Sequence, residues 1–157
     1  GWLVVREAMA KTLAVPNTGM AVTTDIGESK DIHPRNKQDV GKRLALWALA
    51  KVYGQDIPYS GPMLKSATAS GDGMVVTFEH PDGLKAGGDK LLGFELAGAD
   101  KKWHPAEAKI DGATVVVSSP EVKAPAAVRY NWHEEPTGNL TNATDLPAGP
   151  FRSQEWE

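Results

Sequence analysis

Asp25-Ile26-Gly27-Glu28-Ser29-Lys30-Asp31-Ile32-His33-Pro34 is a polar loop set between a β-like segment and a helix, and that order sets the fold class. Before it, Met20-Ala21-Val22-Thr23-Thr24 is short, partly β-branched and bounded by Gly19 and Asp25, as a buried strand would be. After it, Pro34 suits a first helical position, where its missing N–H costs nothing. Val40, Leu44, Ala48 and Val52 then form one apolar stripe supported by Leu46, Trp47 and Leu49. Lys37, Asp39, Lys42, Arg43 and Lys51 cover the other side, and Gly54 is a helix terminator. Upstream, Trp2, Val5, Met9 and Leu13 recur at helical spacing with Arg6, Glu7 and Lys11 between them. The spacing predicts an amphipathic helix over residues 2–13, stopped by Pro16-Asn17-Thr18-Gly19. Helix, strand, loop and helix make half of an α/β layer, whose strands normally sit in a parallel sheet.

Texture changes between Pro58 and Pro62, which divides the chain into residues 1–58 and 59–157. Beyond the change, Met74-Val75-Val76-Thr77-Phe78, Leu91-Leu92-Gly93-Phe94-Glu95-Leu96, Thr114-Val115-Val116-Val117 and Ala127-Val128-Arg129-Tyr130 read as strands. Gly71-Asp72-Gly73, Pro81-Asp82-Gly83, Ala86-Gly87-Gly88 and Ile110-Asp111-Gly112 separate them as turns. Short, evenly spaced strands with Asp-Gly turns point to an antiparallel sandwich. The tail from Asn139 is irregular, with Leu140, Leu146, Phe151 and Trp156 as anchors.

A length of 157 residues suffices for one compact domain or two small lobes sharing a core. A net charge of -3 with no lysine or arginine cluster leaves no nucleic-acid footprint. No stretch approaches the roughly 18 apolar residues of a membrane span. Cysteine is absent, which removes disulfides and thiolate metal sites but leaves compartment open. Gly1-Trp2-Leu3-Val4-Val5-Arg6-Glu7 lacks a basic leader and reads as a helix entered partway along, so the chain is expected to be part of a longer gene product.

The loop after the expected strand occupies the carboxyl-end crevice in which open α/β sheets bind ligands. An imidazole there can act as a general base, because it titrates near neutral pH. Asp31 stands two residues before His33, so in an extended loop both side chains can point to one side. The bland alternative is equally physical: Asp31 caps the following helix and His33 packs against it. Elsewhere, His80, His104 and His133 lack metal-ligand spacing and read as structural or surface residues. Trp47 and Trp103 read as core aromatics, and Trp132 and Trp156 as packing residues with a sugar-stacking alternative. Glu134-Glu135 reads as a solvated turn, and Asn139-Leu140-Thr141 and Asn142-Ala143-Thr144 fit the glycosylation pattern. Nothing in these residues calls for a cofactor.

The segment DIGESKDIHPRNKQDVGKRLALWALAKVY, residues 25–53, resembles the last conserved block of the SGNH-hydrolase branch that contains the sialate O-acetylesterases. Trp2-Leu3-Val4-Val5-Arg6-Glu7-Ala8 resembles the helix preceding that branch's final strand. Leu92-Gly93-Phe94-Glu95-Leu96, His104-Pro105-Ala106-Glu107-Ala108 and Val128-Arg129-Tyr130-Asn131-Trp132 resemble the family's C-terminal β region. So do Asn139-Leu140-Thr141-Asn142 and Leu146-Pro147-Ala148-Gly149-Pro150-Phe151-Arg152, in the same order along the chain.

The resemblance implies the C-terminal part of a flavodoxin-like SGNH-hydrolase layer over residues 1–58, followed by a β-rich, sandwich-like accessory domain over 59–157. It implies removal of O-acetyl esters from sugars, classically sialic acid, through a serine acyl-enzyme, with a periplasmic or secreted location favoured. His33 falls on the family's catalytic histidine, and Asp31 is the expected acid. The wider superfamily commonly places that acid three residues before the histidine, where this chain has Lys30. Asp31, Asp25 and a backbone carbonyl therefore all stay open as the group orienting His33. The family's nucleophile lies in a Gly-[Asp/Gln]-Ser setting that no serine here occupies, and Ser29, in the same loop as His33, is a poor substitute. The serine is expected from an N-terminal part of the same gene product. The chain alone should then be inactive and should expose a large apolar face over residues 1–58. Competing expectations are a non-catalytic carbohydrate-binding or structural β module and an esterase of acetylated xylan.

Overall fold

The structure is a computed structural model that describes residues 1–156. Helix α1 spans Trp2–Lys11 and tightens into a 3-10 turn at Thr12–Ala14. Helix α2 spans Lys37–Lys51. It starts later than Pro34 because Asn36 caps it, the asparagine side-chain oxygen accepting the Asp39 backbone N–H at 3.1 Å. Gly54 ends it as expected: at φ 69 it lets the Gln55 N–H turn back onto the Leu49 carbonyl at 3.0 Å.

Ten short strands follow among the described residues: β1 (Met63–Ser70), β2 (Gly73–Glu79), β3 (Lys85–Ala86), β4 (Phe94–Ala97), β5 (Trp103–Pro105), β6 (Glu107–Asp111), β7 (Thr114–Ser118), β8 (Ala127–Tyr130), β9 (Leu140–Thr141) and β10 (Phe151–Arg152). They form four-stranded sheets in the orders β1-β2-β7-β6 and β10-β8-β4-β5 and a small β3-β9 pair, all antiparallel. Both larger sheets feed one apolar core, with Val76 and Phe78 of β2, Val117 of β7, Leu96 of β4, and Val128 and Tyr130 of β8. The alternation read in β2, β7 and β8 is what turns these side chains to one face. At the centre, the Tyr130 hydroxyl accepts the Leu140 N–H at 2.9 Å, and burial pushes its phenol up to about 12.

Three expectations are corrected. Residues 20–24 form no strand: among the described residues nothing pairs with them as a strand would, and the chain enters a turn at Thr24. In α1 the polar residues are the ones that pack. Arg6 donates to the His133 and Glu134 carbonyls at 2.9 and 3.1 Å, and Glu7 takes a two-pronged bond from Arg152 at 2.8 and 2.9 Å, while Trp2, Val5 and Met9 face outward. In α2, Arg43 is the buried residue, not a solvent-side one, and Leu44 and Val52 of the apolar stripe are exposed. Trp2, Val4, Val5 and Met9 of α1, Leu44 of α2, and Val52 and Tyr53 just past it are exposed.

Candidate active site

The loop carrying His33 is shaped by its own polar groups. The Ile26 N–H donates to the Thr23 carbonyl, and the Asp31 N–H to the Glu28 carbonyl, both at 3.2 Å. The Glu28 carboxylate accepts the Arg35 backbone N–H at 2.8 Å, closing the loop before Asn36 caps α2. Asp31 and His33 are brought together, but through the main chain: an Asp31 carboxylate oxygen accepts the His33 backbone N–H at 2.8 Å. The His33 side chain itself is exposed and has no hydrogen bond among the described residues. Ile32 beside it is 90 % exposed.

Asp25, the other carboxylate considered for His33, is engaged elsewhere. Both its oxygens accept from the Arg43 guanidinium at 2.6 Å, and the same guanidinium donates to the Val22 carbonyl at 2.6 Å. Sequence reading missed Arg43 because an arginine amid lysines on a helix reads as solvated; no local spacing announces a partner eighteen residues away.

A cleft of about 400 Å³ lies alongside, between α1, residues 20–24 and the loop that follows β8. Its lining includes Met9, Thr23, Ser29 and the Glu134-Glu135 pair, and reaches the His33 loop without including His33. A second hollow of about 610 Å³ runs past Leu13, Pro16, Leu44 and Trp47.

Comparison with known proteins places this arrangement. No protein-family model matches the chain. Sialate O-acetylesterase of Mus musculus is 29% identical over 157 residues, an alignment covering 89% of this chain and 29% of the mouse protein. Sialate O-acetylesterase of Rattus norvegicus is 27% identical over 155 residues, with the same 89% and 29% coverage. The crystal structure of a carbohydrate acetylesterase from Xanthomonas citri superposes with a TM-score of 0.95 at 49% identity, covering 99% of this chain and 37% of that one. The chain is thus similar to sialate O-acetylesterases and to a carbohydrate acetylesterase. It spans about three-tenths of the curated relatives it matches. Its mixed architecture of helices and antiparallel sheets is close to that of the carbohydrate acetylesterase.

The remaining residues singled out in this sialate O-acetylesterase-like chain have packing partners. His104 Nδ1 meets Glu121 at 2.7 Å, and His133 Nε2 meets Glu95 at 3.1 Å. His80 stacks edge-on against Tyr59, which does the same to Trp47. Trp103 lies under the Arg129 guanidinium at 4.4 Å and Trp132 under that of Arg152 at 5.0 Å; Trp156 neighbours Trp103 at 5.9 Å. Asn142 is buried, donating to the Ser60 carbonyl and accepting from Thr144 and Leu146, so its sequon is a structural knot in the folded chain. Asn139 likewise bridges Leu92 and Lys90. Glu134 and Glu135 are exposed on the cleft wall, which a solvated turn allows.

Proposed function

We propose that this chain is the histidine-bearing, C-terminal part of a carbohydrate O-acetyl esterase. Residues 1–58 complete a flavodoxin-like SGNH-hydrolase layer, and residues 59–157 form the sandwich-like accessory domain behind it. An N-terminal part of the same gene product supplies the nucleophilic serine and the oxyanion donors. Residues 20–24, which pair with no strand among the described residues, are then the sheet's last parallel strand in the assembled enzyme, and the exposed apolar residues of α1 and α2 are where that part packs.

In the assembled enzyme the serine hydroxyl attacks the acetyl carbonyl while His33 takes its proton as general base. The imidazolium returns that proton to the departing sugar oxygen, leaving an acetyl-serine, and a water activated by His33 releases acetate. Asp31 fixes His33 through its main chain. Without the serine, and without an oxyanion hole that typically lowers the barrier by about 3–4 kcal/mol, the chain alone should turn over nothing. The names of the mouse, rat and Xanthomonas citri relatives support an acetylated sugar as substrate.

The observation that carries this reading is the imidazole itself: exposed, unbonded, and mounted at the end of a segment in search of a sheet. A histidine serving only its own loop would be turned inward. Co-expression with the N-terminal part, assayed on acetylated sialic acid, acetylated xylan and a chromogenic acetate, tests it. His33→Ala should lower kcat by about 10⁶-fold; wild-type turnover in that variant would remove His33 from the mechanism, and the preferred acetate donor would name the substrate class.

A further inference from the structure

The loop bearing His33 starts after Val22 and rejoins the body of the molecule as α2. Its internal bonds, from Thr23 to Ile26, Glu28 to Asp31 and Arg35, and Asp31 to His33, give it a shape but not a position, because every one joins residues within the loop. Its position comes from Arg43, on the second turn of α2. That guanidinium, carried by the helix that follows the loop, reaches back to the loop's start, donating to both oxygens of Asp25 and to the carbonyl of Val22, each at 2.6 Å. Its side chain is 10% exposed and that of Asp25 33%. A planar fork with a third N–H to spare fits a carboxylate and a carbonyl together; a lysine ammonium has no such fixed geometry.

We propose that Arg43 and Asp25 are positioning residues of the esterase, a clasp holding the mouth of the His33 loop in register with the serine. The inference rests on the reading of His33 as general base, and it moves Asp25 from the imidazole's partner to the loop's anchor. A general base acts only within about 2.6–3.2 Å of the proton it takes. A misplacement of about 1 Å can cost on the order of 10²-fold. Because the His33 ring has no hydrogen bond of its own among the described residues, the clasp is what sets that distance.

The test uses the assembled enzyme, with this chain and the N-terminal part expressed together, and compares Arg43→Lys, Asp25→Asn, their combination and His33→Ala on a chromogenic acetate. Folded fraction is read by circular dichroism, so that kcat is expressed per folded molecule. Each single variant should lose about 10–100-fold in kcat, with KM little changed and the double variant no worse than the poorer single one. If Arg43→Lys does not fold, Asp25→Asn, which keeps the side chain's size, decides alone. Wild-type kcat per folded molecule in Asp25→Asn, beside an inactive His33→Ala, overturns the clasp and leaves the esterase reading standing. A loss confined to the folded fraction also overturns it, making the pair merely structural. An active His33→Ala overturns both.

Discussion

Leu96, Val115 and Val128 of the two larger sheets have no exposed surface, whereas Trp2 of α1 is 65% exposed and Val52, just past α2, 76%. The contrast reflects how each architecture closes. An antiparallel hairpin completes its pairing with the next strand along, as β1 and β2 do across Gly71 at φ 61. Residues 20–24, between the two helices, pair with no strand among the described residues. The β region therefore buries its apolar pattern within itself, while residues 1–58 leave much of theirs exposed. Exposed apolar faces of this kind mark partner surfaces.

The largest expected effect tests that contrast. In this chain alone, Leu96→Ala should cost about 2–5 kcal/mol, since it empties part of a closed core. Met9→Ala, on the outward face of α1, should stay within about 0.5 kcal/mol. In the assembled protein the cost of Met9→Ala should rise toward that of a buried residue. Urea unfolding of both variants, with and without the N-terminal part, measures this. Equal costs in the isolated chain would erase the distinction between the two regions.

A smaller effect lies at the seam between them. Arg152 of β10 grips Glu7 of α1, and its hydrogen bonds hold the Glu7 carboxyl below the ordinary 4.5, against the opposing effect of burial. Glu7→Gln should cost about 1–2 kcal/mol at neutral pH. The sign follows from the lowered pKa: the folded state binds the proton less readily, so this stability is present above about 4.5 and is lost as pH falls through the lowered value. Thermal melts of wild type and Glu7→Gln should converge in acid. A gap that persists there would mean that α1 is held to the β region by packing rather than by this pair.

Much of this was legible from residue patterns. Alternation placed β2, β7 and β8 within a residue, since a strand with one buried face writes its register into the sequence. The edge strand β1 was missed because it alternates weakly, with Lys65 and Ser66 both facing solvent, and β6 because its apolar positions, Ala108 and Ile110, are few and its end runs into the turn at Gly112. The run from Leu91 was cut short because Gly93, at φ 89, breaks the ladder and leaves Leu91 only an isolated bridge to Ala108. In the candidate site, sequence brought Asp31 and His33 together but not their manner of contact, and it placed Arg43 on the wrong side of α2. A buried arginine is decided by its partner, here a carboxylate eighteen residues away, and one-dimensional periodicity cannot register that.

The smallest expected effect concerns a second seam. His80 follows the last residue of β2 with φ 56, its ring edge-on to Tyr59 at 4.8 Å, and Tyr59 in turn meets Trp47 of α2 at 4.7 Å with the Lys51 ammonium 4.3 Å from its centre. Burial lowers the imidazole's pKa below the ordinary 6.5, and the Lys51 charge adds to this, while Glu79 and Asp82 pull the other way. The folded state thus favours the neutral ring. Its contribution is complete above about 6.5 and declines as pH falls below that value, because the unfolded chain takes up the proton first. Replacement by asparagine, which tolerates a positive φ and does not titrate, should lower Tm at every pH yet reduce the drop between pH 7.5 and 5.5. Were that drop unchanged in His80→Asn, the aromatic ladder would be a pH-insensitive contact, and the join between α2 and the β region would owe its acid response to other groups.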